Sequence, residues 1–228
     1  LLYLKPESEY SFLIHYNSDE KKLKSDTLSF FVDSLPDFLP DFTLLKDDDY
    51  EFNGFIFLRT QMDPGIQLLL DDDANIVWYQ KSDTSLSRPF DISSSDSYLS
   101  LYNPSLIYEI NFIGDTLLKI DTKNEILHHE LTNDNNNNII ALTYEYKTFD
   151  LSNFGGGKED SIKGDGLVVY DSTGNLVWEW SVFDHEDPLS YENINSLKND
   201  WTHGNAIGVT YDNNYIFSMR TLNQLWKI

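Results

Sequence analysis

Residues 68–78, LLLDDDANIVW, and residues 168–178, VVYDSTGNLVW, are two versions of one sequence 100 residues apart. In each version an apolar run leads to an Asp, a short polar segment and an Asn, and a second apolar run then ends on Trp. Apolar runs joined by a polar segment of this length are typical of a β-hairpin. A weaker copy occupies residues 107–118, and its opening recurs at residues 225–228. The sequence therefore predicts a repeated hairpin.

Each of these hairpins follows another candidate pair of strands, at residues 51–58, 91–102, 127–146 and 201–220. Two hairpins per repeat make a four-stranded sheet, and repeats of roughly 40 to 60 residues with a Trp at a fixed place favour a β-propeller. A β-sandwich with long insertions is the alternative, but it does not explain why the order of the hairpins recurs. We expect an all-β fold with an incomplete propeller over residues 35–228, because closed propellers need about four to eight blades.

Residues 1–34 predict a different structure. Residues 4–10, LKPESEY, have the L-x-P-x-x-x-Y form of the tyrosine corner in fibronectin-type sandwiches. An alternating strand at residues 10–16 follows, and residues 27–32 predict the last strand. Only two of about seven sandwich strands are accounted for. We therefore expect residues 1–34 to be the C-terminal strands of an N-terminal β-sandwich domain, with the chain incomplete at both ends.

Composition excludes several classes of function. The formal net charge of -22 and the pI near 4.3 disfavour nucleic acid and anionic membrane surfaces as partners, since both attract basic proteins. No apolar stretch is long enough to span a bilayer. The absence of Cys excludes disulfides, thiolate catalysis and Cys-ligated zinc. The Asp cluster at residues 71–73 lacks the Gly and Glu of an EF-hand loop, so we predict a hairpin turn there and not a calcium site. We also predict that the protein binds neither a metal nor a cofactor.

Residues 200–220, DWTHGNAIGVTYDNNYIFSMR, concentrate polar groups on a predicted hairpin. Large residues alternate with small ones, which predicts that the large ones share a strand face; these are Trp201, His203, Asn205 and Ile207. A turn centred on Asp212-Asn213 or on Asn213-Asn214 places Arg220 opposite Asn205 or Ile207, on the same face. We therefore expect His203, Asn205 and Arg220 to surround one small anion.

Three segments here resemble the signature of bacterial arylsulfotransferases, which reads W-x-H-x-N, S-x-R and I-x-K-I. They are WTHGN at residues 201–205, SMR at residues 218–220 and LWKI at residues 225–228. LHHEL, at residues 127–131, resembles the H-H-D-[IV] element of the same family. Neighbouring strand residues face opposite ways, so we expect only one of His128 and His129 to point into the central channel, and the sequence leaves open which one.

The resemblance implies an enzyme that moves a sulfuryl group from a phenolic sulfate ester to a phenol through a sulfohistidine intermediate, without a nucleotide donor. It implies catalytic roles for His203, Arg220 and the pair His128 and His129, and a substrate-binding role for Asn205. Arg220 suits this chemistry because a guanidinium is permanently charged and directs two donors at an oxyanion. The family's nucleophilic histidine follows the S-x-R element, so we expect it beyond the end of this chain.

The resemblance also implies about six blades in the complete protein, roughly four of which are represented here. It implies a periplasmic or secreted protein, and a homodimer is compatible with it. Two other functions fit the same pattern. One is a non-catalytic propeller that binds a protein or glycan, and the other is a redox propeller similar to quinoproteins. A histidine on a later blade favours the sulfotransferase, and Gly-rich tryptophan-docking repeats favour the quinoprotein.

Overall fold

A computed structural model describes residues 4–18, 21–45, 52–60, 65–81, 91–93 and 97–228. The chain divides into two compact units, Leu1–Ser85 and Leu86–Ile228. Within the described ranges the sheets are antiparallel, and no helical segment is longer than four residues. The predicted all-β class is therefore confirmed. None of the helices in these ranges has the length and apolar character that crossing a membrane requires.

The described part of the first unit consists of short strands: β1 (Ser8–Phe12), β2 (His15–Asn17), β3 (Lys22–Lys24), β4 (Leu28–Val32), β5 (Ile56–Arg59), β6 (Ile66–Leu70) and β7 (Ile76–Lys81). They form three sheets, in which β1 pairs with β4, β2 with β3, and β6 with both β5 and β7. The backbone N–H of Lys5 donates to the hydroxyl of Tyr10 at 2.9 Å, which is the contact that a tyrosine corner predicts. The strand predicted at residues 10–16 is wrong in part, because β1 and β2 join different sheets. The sandwich and the boundary at residue 35 stay predictions.

The described residues of the second unit form three successive sheets in which strands adjacent in the sequence are adjacent in space. The first is β8 (Ile92–Ser93), β9 (Ser97–Asn103), β10 (Leu106–Asn111) and β11 (Thr116–Asp121); the second is β12 (Ile126–Asn133), β13 (Ile139–Phe149), β14 (Asp160–Tyr170) and β15 (Leu176–Ser181); the third is β16 (Gly204–Val209), β17 (Tyr215–Met219) and β18 (Gln224–Lys227). The helical segments are α1 (Ile194–Leu197) and the 3-10 turns Ser152–Phe154, Val182–Asp184 and Pro188–Ser190. Two hairpins per repeat are thus present in the first and second of these sheets. Closure into a propeller stays a prediction.

A five-residue turn explains why the quoted repeat forms hairpins. The Asp171 carboxylate accepts hydrogen bonds from the backbone N–H groups of Thr173 and Asn175, both at 2.9 Å. Gly174 has a φ of 84°, a left-handed conformation that suits glycine and completes this kind of turn. Asp71 makes the same contact with the backbone N–H of Asn75, at 2.8 Å. The Asp cluster at residues 71–73 therefore forms a turn, as predicted.

The sheet β12–β15 has an apolar core on each of its faces, because successive strand residues point to opposite sides. One face contributes Leu142 and Leu167 to a buried cluster that also includes Trp201 and Phe217. The other face packs on the preceding sheet through a second cluster, which includes Leu99, Leu101, Ile107, Ala141 and Val168. The central strands β13 and β14 pair over 11 residues without a register shift. This regular ladder is the frame on which the candidate site is built.

Candidate functional site

Polar side chains continue the first of these apolar faces. In the β13–β14 ladder Tyr144 lies opposite Asp165, and Tyr146 lies opposite Lys163. His128 of β12 lies opposite Leu142. Directly opposed residues share a face and so do residues two apart on one strand. Consequently His128, Tyr144, Lys163 and Asp165 lie on one face of the sheet.

The chain segment before β16 is fixed beside this face by two backbone hydrogen bonds. The N–H of Lys163 donates to the carbonyl of Lys198 at 2.7 Å, and the N–H of Trp201 donates to the carbonyl of Lys163 at 3.0 Å. The Trp201 side chain is fully buried, with its ring centroid 5.4 Å from that of Phe183. This anchoring brings Asp200 to the same face, where its carboxylate lies 2.9 Å from the ammonium group of Lys163.

A bulge in β12 brings two histidine rings together. The register changes from His128 opposite Leu142 to Leu131 opposite Ala141, so β12 accommodates two extra residues. His129 adopts a φ of 52°, which a strand residue rarely does, and bulges re-aim side chains in this way. The Nδ1 atoms of His128 and His129 are 2.9 Å apart. The expectation that the two rings face opposite ways is therefore wrong, because the alternation stops at the bulge.

His128 is the buried member of the pair, with 3% of its surface exposed. Its ring stacks on the Tyr144 ring with centroids 3.6 Å apart and planes 4° apart. Its Nε2 atom lies 3.0 Å from Oδ1 of Asp165, which is 1% exposed. Neither atom has a well-aligned hydrogen bond within the described residues, so the contact is mainly electrostatic. The other carboxylate oxygen of Asp165 accepts from the hydroxyl of Thr202 and from the N–H of Gly204.

His203 is held between an anion and a cation. Its Nδ1 atom contacts the Asp200 carboxylate, and its Nε2 atom lies 3.4 Å from Nη1 of Arg220. The ring centroid is 5.5 Å from that of His129. His203 also has a left-handed backbone, with a φ of 47°. Arg220 is exposed, whereas His203 and His129 are partly buried. The contacts thus run from the exposed guanidinium to the buried imidazole of His128.

Burial and charge act in opposite directions on the carboxyl group of Asp200. Burial alone raises its pKa, but hydrogen bonds from Lys163 and His203 outweigh burial and lower the pKa below its ordinary value. Burial likewise acts to lower the pKa of Lys163, and the Asp200 carboxylate outweighs it and raises that pKa. Both groups are therefore charged across the neutral pH range. Asp200 can then act as a permanent hydrogen-bond acceptor for His203.

The hairpin that carries His203 and Arg220 differs in register from the prediction. Its turn spans residues 210–214, since the N–H of Thr210 donates to the carbonyl of Asn214 at 2.8 Å. The register shifts between the pairs Gly204–Met219 and Ala206–Ser218. The N–H of Arg220 consequently donates to the carbonyl of His203, at 3.1 Å. The predicted pairing of Arg220 with Asn205 or Ile207 is wrong for two reasons: the five-residue turn is centred on Asp212 and not between two residues, and a bulge at residue 205 shifts the pairing by one further residue.

Asn205 lies at this second bulge and is exposed. Within the part of the chain that the structure describes, no hydrogen bond joins its side chain to the histidines or to Arg220. The predicted strand face through residues 201–207 is also wrong. Trp201 is buried in the apolar cluster and Thr202 bonds to Asp165, and the left-handed backbone of His203 ends the alternation. A substrate-binding role for Asn205 stays a prediction.

Four residues of the site were missed in the sequence: Tyr144, Lys163, Asp165 and Asp200. Asp165 carried a signal, since it is a lone acidic residue between two glycines that open an apolar strand, GDGLVVY at residues 164–170. Asp200 stands three residues before His203 in the polar segment itself. Lys163 and Tyr144 carried none, because their importance depends on the pairing of β13 with β14.

The chemistry of the grouped side chains is that of cations and proton carriers. Within the described ranges no three His, Cys, Asp or Glu residues are grouped as a metal ion would require. Three imidazoles and an exposed guanidinium can instead hold an oxyanion and transfer protons. This is an all-β protein in which three histidines and an arginine lie in a chain of contacts at the end of an apolar core.

The comparison with protein families identifies the class to which this chain belongs. The sequence model of the family described as Arylsulfotransferase (ASST) matches residues 41–228, which is most of the chain. The chain is therefore a member of the arylsulfotransferase family, as its sequence motifs indicate. A comparison with curated proteins gave no match.

Proposed function

We propose that the protein is an aryl-sulfate sulfotransferase, which moves a sulfuryl group from a phenolic sulfate ester to a phenol. One observation carries the proposal beyond family membership. The exposed Arg220 is in contact with His203, whose ring is adjacent to that of His129. A cation beside several imidazoles is the combination that binding a sulfuryl anion and moving a phenolic proton both require.

Arg220 is proposed to bind the oxygens of the sulfuryl group. Its backbone is fixed by the hydrogen bond to the carbonyl of His203, while its guanidinium reaches the surface. A guanidinium directs several donors in a fixed fork and so matches the geometry of oxyanions. In a chain with a net charge of -22 this cation is a local attraction for an anionic substrate. Asn205 is exposed and lies two residues after His203. We propose its side-chain amide as a neutral hydrogen-bond donor to the sulfuryl group.

His203 is proposed to orient Arg220. Asp200 can only accept a hydrogen bond, so the neutral His203 ring carries its proton on Nδ1. Nε2 is then an acceptor for Arg220 Nη1, which lies 3.4 Å away. The remaining N–H groups of the guanidinium are left for the substrate. Lys163 holds Asp200 in place from the other side.

The proposed reaction has two displacements. In the first, a neutral histidine nitrogen forms a bond to sulfur while the S–O bond of the donor breaks and the phenolate leaves with the electron pair. In the second, the oxygen of the acceptor phenol bonds to sulfur, the S–N bond breaks, and the phenolic proton passes to a base. We propose His129 as that base. The nucleophile is proposed to be a histidine other than His128, His129 and His203.

The family is generally extracytoplasmic, and we propose a periplasmic or secreted location for this member. The substrates proposed are a small phenolic sulfate and a phenol. A homodimer is compatible with this proposal.

Release of nitrophenol from p-nitrophenyl sulfate tests the function. The purified full-length gene product is expected to release nitrophenol at a rate that depends on added phenol, with phenyl sulfate formed in equal amount. Equal rates with and without phenol would indicate a hydrolase. An absence of nitrophenol release under both conditions would favour a non-catalytic propeller that binds a protein or glycan.

Substitution of Arg220 tests the site. Arg220→Ala is expected to lower the transfer rate by about 10² to 10³, because one donor to the transition-state oxyanion is lost. Arg220→Lys is expected to recover part of the loss, since lysine restores the charge without the two-donor fork. Lys158→Ala removes an exposed cation that forms no ion pair within the described residues, and this matched control is expected to retain activity. Equal losses in Arg220→Ala and Lys158→Ala would contradict the assignment.

A further inference from the structure

Asp165 is a buried carboxylate that no step described so far requires. It lies within β14 and is 1% exposed. A buried carboxylate is costly unless its oxygens are hydrogen-bonded or paired with a cation. The burial of this carboxylate therefore needs a physical explanation, and the contacts of Asp165 supply one.

One oxygen of Asp165 is fixed by two donors from the segment before β16. Oδ2 accepts from the Thr202 hydroxyl and from the N–H of Gly204, the latter at 2.5 Å. A Cβ atom on Gly204 would meet Phe217 Cε2 at 2.5 Å and Asp165 Cγ at 3.0 Å. Only glycine therefore lets the backbone approach this closely. The carboxylate orientation is fixed, and Oδ1 is left facing His128.

The position of Oδ1 determines which nitrogen of His128 carries a proton. Oδ1 lies 3.0 Å from Nε2, an electrostatic contact without the alignment of a hydrogen bond. At this distance an ionised carboxylate attracts an N–H group and repels a nitrogen lone pair, so Nε2 is the protonated nitrogen. In the neutral ring Nδ1 is then an acceptor. Nδ1 of His129 lies 2.9 Å away and must donate. The neutral His129 ring consequently has its proton on Nδ1, and its Nε2 is the basic nitrogen.

The His128 ring is held against rotation. It stacks on Tyr144 at 3.6 Å, and the ammonium group of Lys163 lies 4.2 Å from the centre of the Tyr144 ring. His128 is also 3% exposed, which leaves little space for a ring flip. The buried carboxylate thus sets the direction of the hydrogen bond from His129 to His128 through its electrostatic contact with His128.

We propose that Asp165 is a positioning residue that makes Nε2 of His129 the proton acceptor of the site by fixing the tautomers of both histidines. This proposal rests on the proposed function. As the acceptor phenol oxygen bonds to sulfur, the bond from sulfur to the departing histidine nitrogen breaks and the phenolic proton moves to Nε2 of His129. Asp165 touches neither the substrate nor the reacting atoms.

Asp165→Asn tests this inference because an amide can present a donor to Nε2 of His128 where the carboxylate presents only an acceptor. Thr202 and Gly204 both donate, so they retain the amide oxygen and turn the NH₂ group towards His128. Nε2 of His128 then accepts, and its Nδ1 carries the proton. His129 must accept at Nδ1 and carry its own proton on Nε2. Both tautomers are therefore inverted, and the base is lost.

The readout is the imidazole ¹⁵N spectrum of histidine-labelled protein at neutral pH, recorded beside the kinetics. In the wild type we expect protons on Nε2 of His128 and Nδ1 of His129, and in Asp165→Asn the reverse. We expect kcat to fall by about 10² or more, in the range of general acid–base catalysis, with KM nearly unchanged. Unchanged tautomers in the variant, or a wild-type His129 with its proton on Nε2, would overturn the proposal.

Two controls separate the possible failures. Thr202→Val removes one donor to Asp165 but keeps the carboxylate, so the wild-type tautomers should persist with a much smaller loss of kcat than in Asp165→Asn. Equal kinetic losses in both variants would mean a purely structural role and contradict the proposal. The wild-type spectrum needs neither a variant nor turnover. A protein that shows the expected tautomers and no transfer activity would refute the proposed function and the role of His129 as base, while the control of both tautomers by Asp165 would stand.

Discussion

The site contains two histidine–carboxylate pairs that differ in exposure. The side chains of His128 and Asp165 are 3% and 1% exposed, whereas those of His203 and Asp200 are 23% and 38% exposed. Electrostatic contacts are stronger in a buried environment, and an unpaired charge is costlier there. We therefore expect the buried pair both to stabilise the fold and to determine which histidine nitrogens carry protons. The exposed pair can be altered at a small cost in stability.

The pairs also differ in how many neighbours fix their carboxylate. Asp165 has Thr202 and Gly204 on one oxygen and His128 beside the other. Asp200 shares its oxygens between Lys163 and His203. Substitutions at the two carboxylates should accordingly differ in their effect on the free energy of unfolding, with the larger effect at Asp165.

Asp165→Ala is expected to lower the free energy of unfolding by about 3 to 5 kcal/mol. The variant removes one partner of a buried pair and leaves the donors of Thr202 and Gly204 unsatisfied. Urea unfolding followed by tryptophan fluorescence measures the change. Asp165→Asn is the matched control and should lose less, since the amide retains those two hydrogen bonds. A loss below 1 kcal/mol in the alanine variant would show that the buried pair does not support the fold.

Asp200→Ala is expected to lower the free energy of unfolding by about 1 kcal/mol or less, because solvent screens a partly exposed pair. Its effect on transfer should be larger than its effect on stability, since His203 loses the acceptor that fixes its tautomer and with it the orientation of Arg220. Unfolding and transfer assays on the same preparation separate the two effects. A stability loss equal to that of Asp165→Ala would remove the distinction between the pairs.

Lys163→Met is expected to raise the pKa of Asp200, since the variant removes a hydrogen bond that lowers it. A carboxyl whose folded pKa is lowered contributes stability above its unfolded pKa of about 3.9, and this contribution is lost as the pH falls through the folded pKa. Wild-type stability should therefore fall more steeply with pH below about 4 than that of the variant. Carboxyl ¹³C shifts and urea unfolding at several pH values measure both effects. Identical slopes would indicate that Lys163 does not act on Asp200.

Much of the fold could be predicted because the repeated hairpin is encoded locally. The turn at residues 171–175 is held by hydrogen bonds between residues at most four apart, so its sequence is sufficient to identify it. The alternation of apolar residues then gives the two faces of each strand. The family motifs likewise identified His129, His203 and Arg220 as candidate site residues. Whether the sheets close into a propeller depends on contacts that no local pattern specifies.

The geometry of the site could not be predicted because it departs from strand regularity. Bulges at residues 129–130 and 205 change the register, and both His129 and His203 have left-handed backbones. Such conformations cost of order 1 to 3 kcal/mol and persist only where tertiary contacts impose them. Asp165 illustrates the same limit. Its partners Thr202 and Gly204 are 37 and 39 residues away.

The position of a bound aryl sulfate tests the central claim most directly. A crystal structure of the full-length protein with phenyl sulfate should place the sulfate oxygens about 2.7 to 3.2 Å from the guanidinium nitrogens of Arg220. The ester sulfur should also lie next to the His129 and His203 rings. An ester bound elsewhere, with Arg220 in contact with His203 alone, would contradict the account.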